Sequence, residues 1–278
     1  MPTSPANGDK QSKDAAMMQD KAIACWEANA DTWTRHIRAG FDVHRDYLNV
    51  PAFMAMLPPV EGLRGIDVGC GEGSMTRLLA QRGALMHAID LSPKFLGHAR
   101  EAERSQSLGI SYVLADAIRL PFLDCAFDFA VGFMSLMNMP DQRSAFAEMQ
   151  RVLRPGGFVQ FAILHPCFVP PHRQVLYAPD GTIRALEIGG YFEVIDGRVD
   201  RWWFAALPPD ERERVAPFQV PCFHRTLSTW LNLVSEVGLT VERLGEPCAD
   251  KATAEAIPHL AQTRIAPLFL HVRGRKPV

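Results

Sequence analysis

The chain has 278 residues, which suits one α/β domain carrying an insertion, since single domains commonly run to about 250 residues. Hydrophobic residues make up 47% and charged residues 22%, ordinary for a soluble globular enzyme, and a formal net charge of −2 offers no polycationic surface and does not favour a nucleic-acid partner. The six cysteines lie far apart, with no C-x-x-C and no Cys/His pair at zinc spacing, so they read as reduced thiols and no metal site is expected.

The N-terminal "MPTSPANGDKQSKDAAMMQDK" lacks the apolar core of a signal peptide, and no run of roughly 18 apolar residues occurs anywhere. A soluble cytoplasmic protein is expected, with no membrane partner. Residues 1–20 bury nothing obvious and are expected to form a disordered tail. A helical cap over 21–60 follows, because Ile23, Trp26, Ala30, Trp33 and Ile37 recur at helical spacing.

From Arg64 the rhythm changes to a short apolar strand, a glycine loop and the helix "SMTRLLAQRG", which ends at Gly83. The alternation repeats. "ALMHAID", "ISYVLAD", "FDFAVGFM" and "FVQFAIL" read as strands, with helices at "SPKFLGHAREAERSQSLG" and "QRSAFAEMQRVL" and a turn at "RPGG". Strands alternating with helices imply a doubly wound, mostly parallel sheet with helices on both faces. A ligand-binding core over 61–164 results.

The segment 165–223 breaks the pattern, being rich in Pro, Gly and aromatics. It reads as a lid covering one edge of the sheet, with a hairpin around "DGR". Residues 224–278 return to the core with the helix "RTLSTWLNLVSEVGL" and two closing strands, "TVERLGEP" and "PLFLHVRGRK".

An open parallel sheet binds its ligand at the carboxyl ends of its strands, where strand order reverses. The loop "GIDVGCGEGS" sits there, and Gly69, Gly71 and Gly73 let the backbone approach a ligand with no side chain between. Asp90, at the end of the second strand, is placed to take both ribose hydroxyls of a nucleoside. A dinucleotide fingerprint wants G-x-G-x-x-G/A, whereas here the third glycine arrives one residue early and position 74 is Ser. Asp67 faces the loop too, and a carboxylate there repels a pyrophosphate but tolerates a cationic moiety. The expected ligand is a nucleoside with a positive charge.

"GIDVGCGEGSMTRLLA", "AIDLSPKFLGHAREA", "ADAIRLPFLDCAFDFAVGFMSLMNMP" and "EMQRVLRPGGFVQFAI" together resemble the class I S-adenosylmethionine-dependent methyltransferases, in the branch with small-molecule and quinone-type acceptors (methyltransferase type 11-like). The resemblance spans roughly residues 62–164. It implies a Rossmann-like seven-stranded sheet whose last strand is antiparallel, with N-terminal helices and a lid before the last two strands. It also implies the cofactor S-adenosyl-L-methionine, released as S-adenosyl-L-homocysteine. Gly69 and Gly71 would lie along its methionine portion, with Asp67 positioning the ammonium; Asp90 would hold the ribose; Leu91 would pack on the adenine. Asp116 would accept from the exocyclic amine, the N–H of Ala117 would meet the ring, and the strand end at Gly132 to Met134, Phe133 included, would pass under the methionyl group. Trp33 is a candidate cover for the cofactor, or a core residue with Trp26.

The sulfonium methyl is already activated, so the protein's task is placement of a nucleophile, exclusion of water and, for some acceptors, removal of a proton. His165, directly after the fifth strand, is the candidate base, with a structural turn residue as the alternative. Met137 belongs to an adaptable apolar wall in "FMSLMNMP". The lid aromatics Phe168, Tyr191 and Trp203 would close over an apolar or aromatic acceptor, or pack a dimer contact, and His224 with Arg225 could bind an anionic one. The absence of a [DN]-P-P-[YFW] run argues against nucleic-acid bases as acceptors. Methyl transfer to O or N of a small, partly aromatic or apolar metabolite is the expected activity, by a monomer or homodimer. The alternatives are a cofactor-binding regulatory or partner protein without turnover and, less favoured by the glycine spacing, a nicotinamide dehydrogenase.

Overall fold

The computed structural model describes residues 5–278, with side chains from residue 17 onward. It begins with a long helix, α1 (Pro5–Arg38). The tail expected over 1–20 is therefore helical from Pro5, while residues 1–4 lie outside the described residues. Its Ala, Lys, Gln and Met residues are good helix formers. A π-helical turn (Arg45–Asn49) and α2 (Val50–Met56) complete the N-terminal helices.

The alternating core follows as β1 (Arg64–Val68), α3 (Ser74–Gln81), β2 (Leu85–Asp90), α4 (Pro93–Ser105), β3 (Ser111–Leu114), β4 (Phe127–Phe133), α5 (Gln142–Val152) and β5 (Leu153–Leu164). Helix starts are set by side-chain caps: Ser92 Oγ accepts from Phe95 N–H at 3.1 Å, and Asp141 Oδ1 from Ser144 N–H at 2.9 Å. The expected turn at "RPGG" lies within β5, whose register against β4 shifts between Phe127 and Phe129.

The insertion holds two antiparallel ribbons. In the first, β6 (His172–Tyr177) pairs with β7 (Ile183–Gly189) across a tight turn in which Gly181 has φ +82°. In the second, β8 (Arg198–Trp202) pairs with β9 (Phe218–Cys222), with α6 (Pro209–Arg214) between them. The hairpin expected at "DGR" is thus displaced: Asp180-Gly181 makes the tight turn, and Asp196-Gly197-Arg198 only leads into β8. The chain then forms α7 (Leu227–Glu236), β10 (Thr240–Gly245), α8 (Lys251–Ala256), a 3₁₀ turn (Pro258–Arg264) and β11 (Phe269–Arg275).

Seven strands make one sheet in the order β10-β11-β5-β4-β1-β2-β3. Strands β1 to β5 run parallel, and β11 is antiparallel to both its neighbours, as the sequence led one to expect. Alternation along β4 feeds two cores. Phe129 and Val131 pack with Phe53, Leu79 and Leu96, while Ala130 packs with Phe146, Met149 and Trp230 on the other side.

The β8–β9 ribbon packs on α1 rather than along a sheet edge. Asn29 on α1 mimics a strand partner: its amide donates to Gln219 O at 2.8 Å and accepts from Gln219 N–H at 3.0 Å. Beside it the Trp33 ring meets Phe218 and Phe204 at centroid distances of 4.8 and 4.9 Å. Helix and ribbon together form a roof above the carboxyl ends of the parallel strands.

Candidate functional site

The floor of the site is backbone. Gly69, Gly71 and Gly73 after β1 all have positive φ, and a Cβ at Gly69 would fall 2.5 Å from Cβ of Ser135. The Ser135 hydroxyl donates to Val68 O at 2.6 Å, so the loop and the segment after β4 are locked face to face. Over Gly71 nothing comes nearer than a ring carbon of Phe95 at 4.0 Å, which leaves its backbone open to a ligand.

Two carboxylates stand in this floor. Asp90 accepts the N–H groups of Gly71 at 2.8 Å and Ser92 at 2.9 Å, one on each oxygen, so each oxygen keeps a lone pair for a hydroxyl. Asp67 is 1% exposed; one oxygen accepts from Thr76 Oγ1 at 2.6 Å and the other, Oδ1, is buried without a partner. Burial pushes Asp67 up to about 7 and Asp90 up as well. An orphaned buried carboxylate oxygen next to an open backbone is a demand for a donor, and an ammonium supplies one. Arg45 sets its guanidinium at the start of α3, donating to Ser74 Oγ at 2.6 Å while its charge is paired with Asp46 at 2.5 Å. A floor with hydroxyl acceptors on Asp90 and an unpartnered carboxylate oxygen on Asp67 fits a nucleoside joined to an ammonium-bearing amino acid, as in S-adenosylmethionine.

Above this floor lies a cavity of about 750 Å³, within the range of roughly 300–1,000 Å³ usual for small-molecule sites. Its lining runs from Asp116 and Ala117 after β3 to Leu164 and Pro166 after β5 and Phe269 on β11. Strands are spaced at about 4.8 Å, so β3 to β5, four steps, spans roughly 19 Å, room for a nucleoside and a second molecule end to end. Gln19, Ile23 and Trp26 of α1 roof the β2–β3 end, where Gln19 Nε2 contacts Asp116 Oδ2 at 3.4 Å. The other oxygen of Asp116 accepts from Ile118 N–H at 3.1 Å.

The structure brings to this cavity Asp67, Gly69, Gly71, Asp90, Leu91, Asp116, Ala117, Phe133, Trp33, Met137, Trp203, His224 and Arg225. His165, Phe168 and Tyr191 are not in its lining. His165 is 2% exposed and both ring nitrogens are engaged: Nδ1 accepts from Cys167 N–H at 3.2 Å, which leaves Nε2–H to donate to Glu246 at 2.8 Å. No lone pair remains for a substrate proton, so the geometry makes it a turn-fixing residue. Phe168 packs on the His165 ring at 4.8 Å, and the Tyr191 hydroxyl accepts from Leu227 N–H at 3.0 Å.

His224 donates Nε2–H to Tyr191 O at 2.9 Å, and Arg225 pairs with Asp196 at 2.5 Å and with the carbonyl of Ile195. The charge of Arg225 is therefore already answered within the lid, contrary to the anion-binding part expected of it. Trp203 donates Nε1–H to Val215 O at 3.3 Å, with the Arg212 guanidinium 5.0 Å above its ring.

Sequence reading missed the other end of the cavity. His44, Asn49, Arg173 and Gln262 line it, drawn from the turn before α2, from β6 and from the 3₁₀ turn before β11. Arg173 Nη2 donates to Gln262 Oε1 at 2.8 Å, and His44 Nε2 lies 3.0 Å from His259 O and 3.2 Å from Gln262 Nε2. Burial lowers the pKa of His44, with the hydrogen bond to the His259 carbonyl working against it and the charges of His259 and Arg173 adding to it, so its imidazole is neutral. Met134, directly after β4, adopts a positive φ of 55°, unusual for a side-chain-bearing residue, and lines the cavity.

Comparison with known proteins matches residues 66–161 to a family described as a methyltransferase domain. Among curated relatives, the methyltransferase GfsG of Streptomyces halstedii is 40% identical over 104 residues, 36% of this chain and 37% of the relative. A malonyl-[acyl-carrier protein] O-methyltransferase of Salmonella typhimurium is 36% identical over 120 residues, 43% of this chain and 46% of the relative. The matched region thus spans less than half the length of these two relatives. A crystal structure of an S-adenosylmethionine-dependent methyltransferase from Mesorhizobium loti superposes with a TM-score of 0.64 at 31% identity, covering 81% of this chain and 96% of the other. With the glycine loop, the orphaned Asp67 oxygen and the Asp90 floor in place, that near full-length likeness means that the chain belongs to the S-adenosylmethionine-dependent methyltransferases.

Proposed function

We propose that the protein transfers a methyl group to O or N of a small, partly aromatic or apolar metabolite, acting in the cytoplasm as a monomer or homodimer, with no nucleic-acid partner. The observation that carries the reading is the shape of the cavity. Beyond the nucleoside floor it continues to the β5–β11 end between Met134, Val169, Leu268 and Phe269, an apolar chamber with a few polar groups.

When bound, S-adenosylmethionine supplies a sulfonium methyl that needs only a nucleophile in line. Asp90 would hold the ribose hydroxyls, Asp67 the ammonium and Asp116 the adenine amine, with Leu91 and the N–H of Ala117 at the ring. Phe133, Gly69 and Gly71 would line the methionyl portion. Trp33, Trp203 and the Met137 wall exclude water, which strengthens every polar contact inside. For an acceptor that must lose a proton, His44 takes the part expected of His165. Its ring lines the cavity with Nε2 held between the carbonyl of His259 at 3.0 Å and the Gln262 amide nitrogen at 3.2 Å, and a neutral imidazole is the form a general base requires.

The test is transfer of labelled methyl from S-adenosylmethionine into a size-fractionated cell extract, comparing the natural protein with Asp90→Ala. Label in the small-molecule fraction, lost in the variant, is the expected result. Label confined to protein or nucleic acid would overturn the acceptor class.

A further inference from the structure

Three arginines line the cavity, and two of them have a carboxylate: Arg45 pairs with Asp46 and Arg225 with Asp196, both at 2.5 Å. Arg173 has none among the described residues. Its Nε donates to Phe168 O at 3.0 Å and its Nη2 to Gln262 Oε1 at 2.8 Å, and its Nη1 has no protein acceptor among the described residues. Both partners are neutral oxygens, so they orient the guanidinium without answering its charge. Burial lowers its pKa, and the Tyr177 phenol is the titratable neighbour that counters this.

A half-buried, oriented cation with no counter-ion is costly unless an anion completes the site. The site is built rather than incidental. Phe168 belongs to the turn after β5 and Gln262 to the 3₁₀ turn before β11, so two distant parts of the chain fix one guanidinium. The same Gln262 amide turns its Nε2 toward His259 O at 3.3 Å, which sets which way round it lies.

We propose that Arg173, oriented by Gln262, is a binding site for the carboxylate of the methyl acceptor. One guanidinium with one free edge matches a single negative charge, whereas a phosphate dianion would call for a second cation, and Arg45 and Arg225 are already paired. The neighbouring walls, Val169, Leu268 and Phe269, are apolar, so the acceptor is an apolar or aromatic body with a carboxylate at one end. The word acceptor rests on the methyl-transfer reading above; the anion site itself does not.

The test is calorimetric titration of the full chain, free and loaded with S-adenosylhomocysteine. The probes are benzoate, 4-phenylbutanoate and octanoate, each against its primary amide. At least one carboxylate should bind about tenfold or more tightly than its amide, and Arg173→Gln should reduce that preference to about threefold or less. Arg173→Lys should keep part of it, and Gln262→Leu should weaken it through lost orientation. Affinity for S-adenosylhomocysteine and the melting curve serve as controls for folding. Carboxylates bound no better than their amides, or a preference that survives Arg173→Gln, would overturn the proposal. Failure of S-adenosylhomocysteine to bind while the free protein keeps an Arg173-dependent preference would sink the cofactor reading and leave the anion site standing.

Discussion

The floor and the roof of this cavity are built on opposite principles. The floor is made of backbone: three left-handed glycines and the carboxylates Asp67 and Asp90, each within a few residues of a strand end. The roof is made of side chains from distant segments, with α1 joined to β9 by Asn29 and an aromatic cluster around Trp33. A floor set by local backbone geometry leaves its mark in a short stretch of sequence. A roof set by tertiary packing does not. The difference also predicts tolerance: floor substitutions should strike cofactor binding hard, and roof substitutions should strike it weakly while loosening the fold.

The sharpest break should come from Gly69→Ala. The added Cβ would combine a left-handed φ with overlap against Ser135, so the loop must move. We expect a loss of about 100-fold in S-adenosylmethionine affinity and a stability cost of about 2–4 kcal/mol. Calorimetry and a thermal melt measure both, and a variant that binds normally would show that the loop backbone does not carry the ligand. Asp90→Ala removes a carboxylate that both braces Gly71 and is available to the ribose. Cofactor affinity should fall about tenfold or more, and unchanged affinity would refute its assignment.

The same division explains what could be read in advance. The order of strands and helices from 64 to 164 follows from period-2 and period-3.6 patterning, and the glycine loop with Asp90 marks the ligand. In the lid, local signals misled. "DGR" has the composition of a turn, yet its following strand pairs about twenty residues further on, and the tight turn fell at Asp180-Gly181. His165 stood at the right strand end for a base, but its ring is satisfied by Cys167 N–H and by Glu246, 81 positions away. His44, Arg173 and Gln262 meet only in three dimensions, and no spacing in the chain could have joined them.

The floor also makes a pH prediction that the roof does not. Burial raises Asp67 to about 7, so in the free protein it is largely protonated at pH 6 and largely ionised at pH 8. A ligand ammonium beside it favours the ionised form. Affinity for S-adenosylmethionine should therefore rise with pH through about 7, by up to about tenfold between pH 6 and 8. Titration calorimetry at a series of pH values reads this directly. Asp67→Asn should flatten that part of the profile, whereas a profile unchanged in the variant would assign the dependence to another group, such as the ligand's own amine.

The smallest effect belongs to the roof. Asn29→Ala strips the amide that pairs with both backbone groups of Gln219, leaving an N–H and a C=O half-buried without their partner. The cost should be about 1–3 kcal/mol, seen as a fall in melting temperature of a few degrees for a chain of this size. Cofactor affinity should drop only about two- to fivefold, because the ribbon and helix cover the ligand without supplying its main hydrogen bonds. Hydrogen exchange should rise first in β8 and β9 and leave β1 and β2 protected, since local opening follows the weakest contacts. Should Asn29→Ala instead match Asp90→Ala in its loss of affinity, roof and floor would be one cooperative unit, and closure of the ribbon over the ligand would have to be part of binding itself.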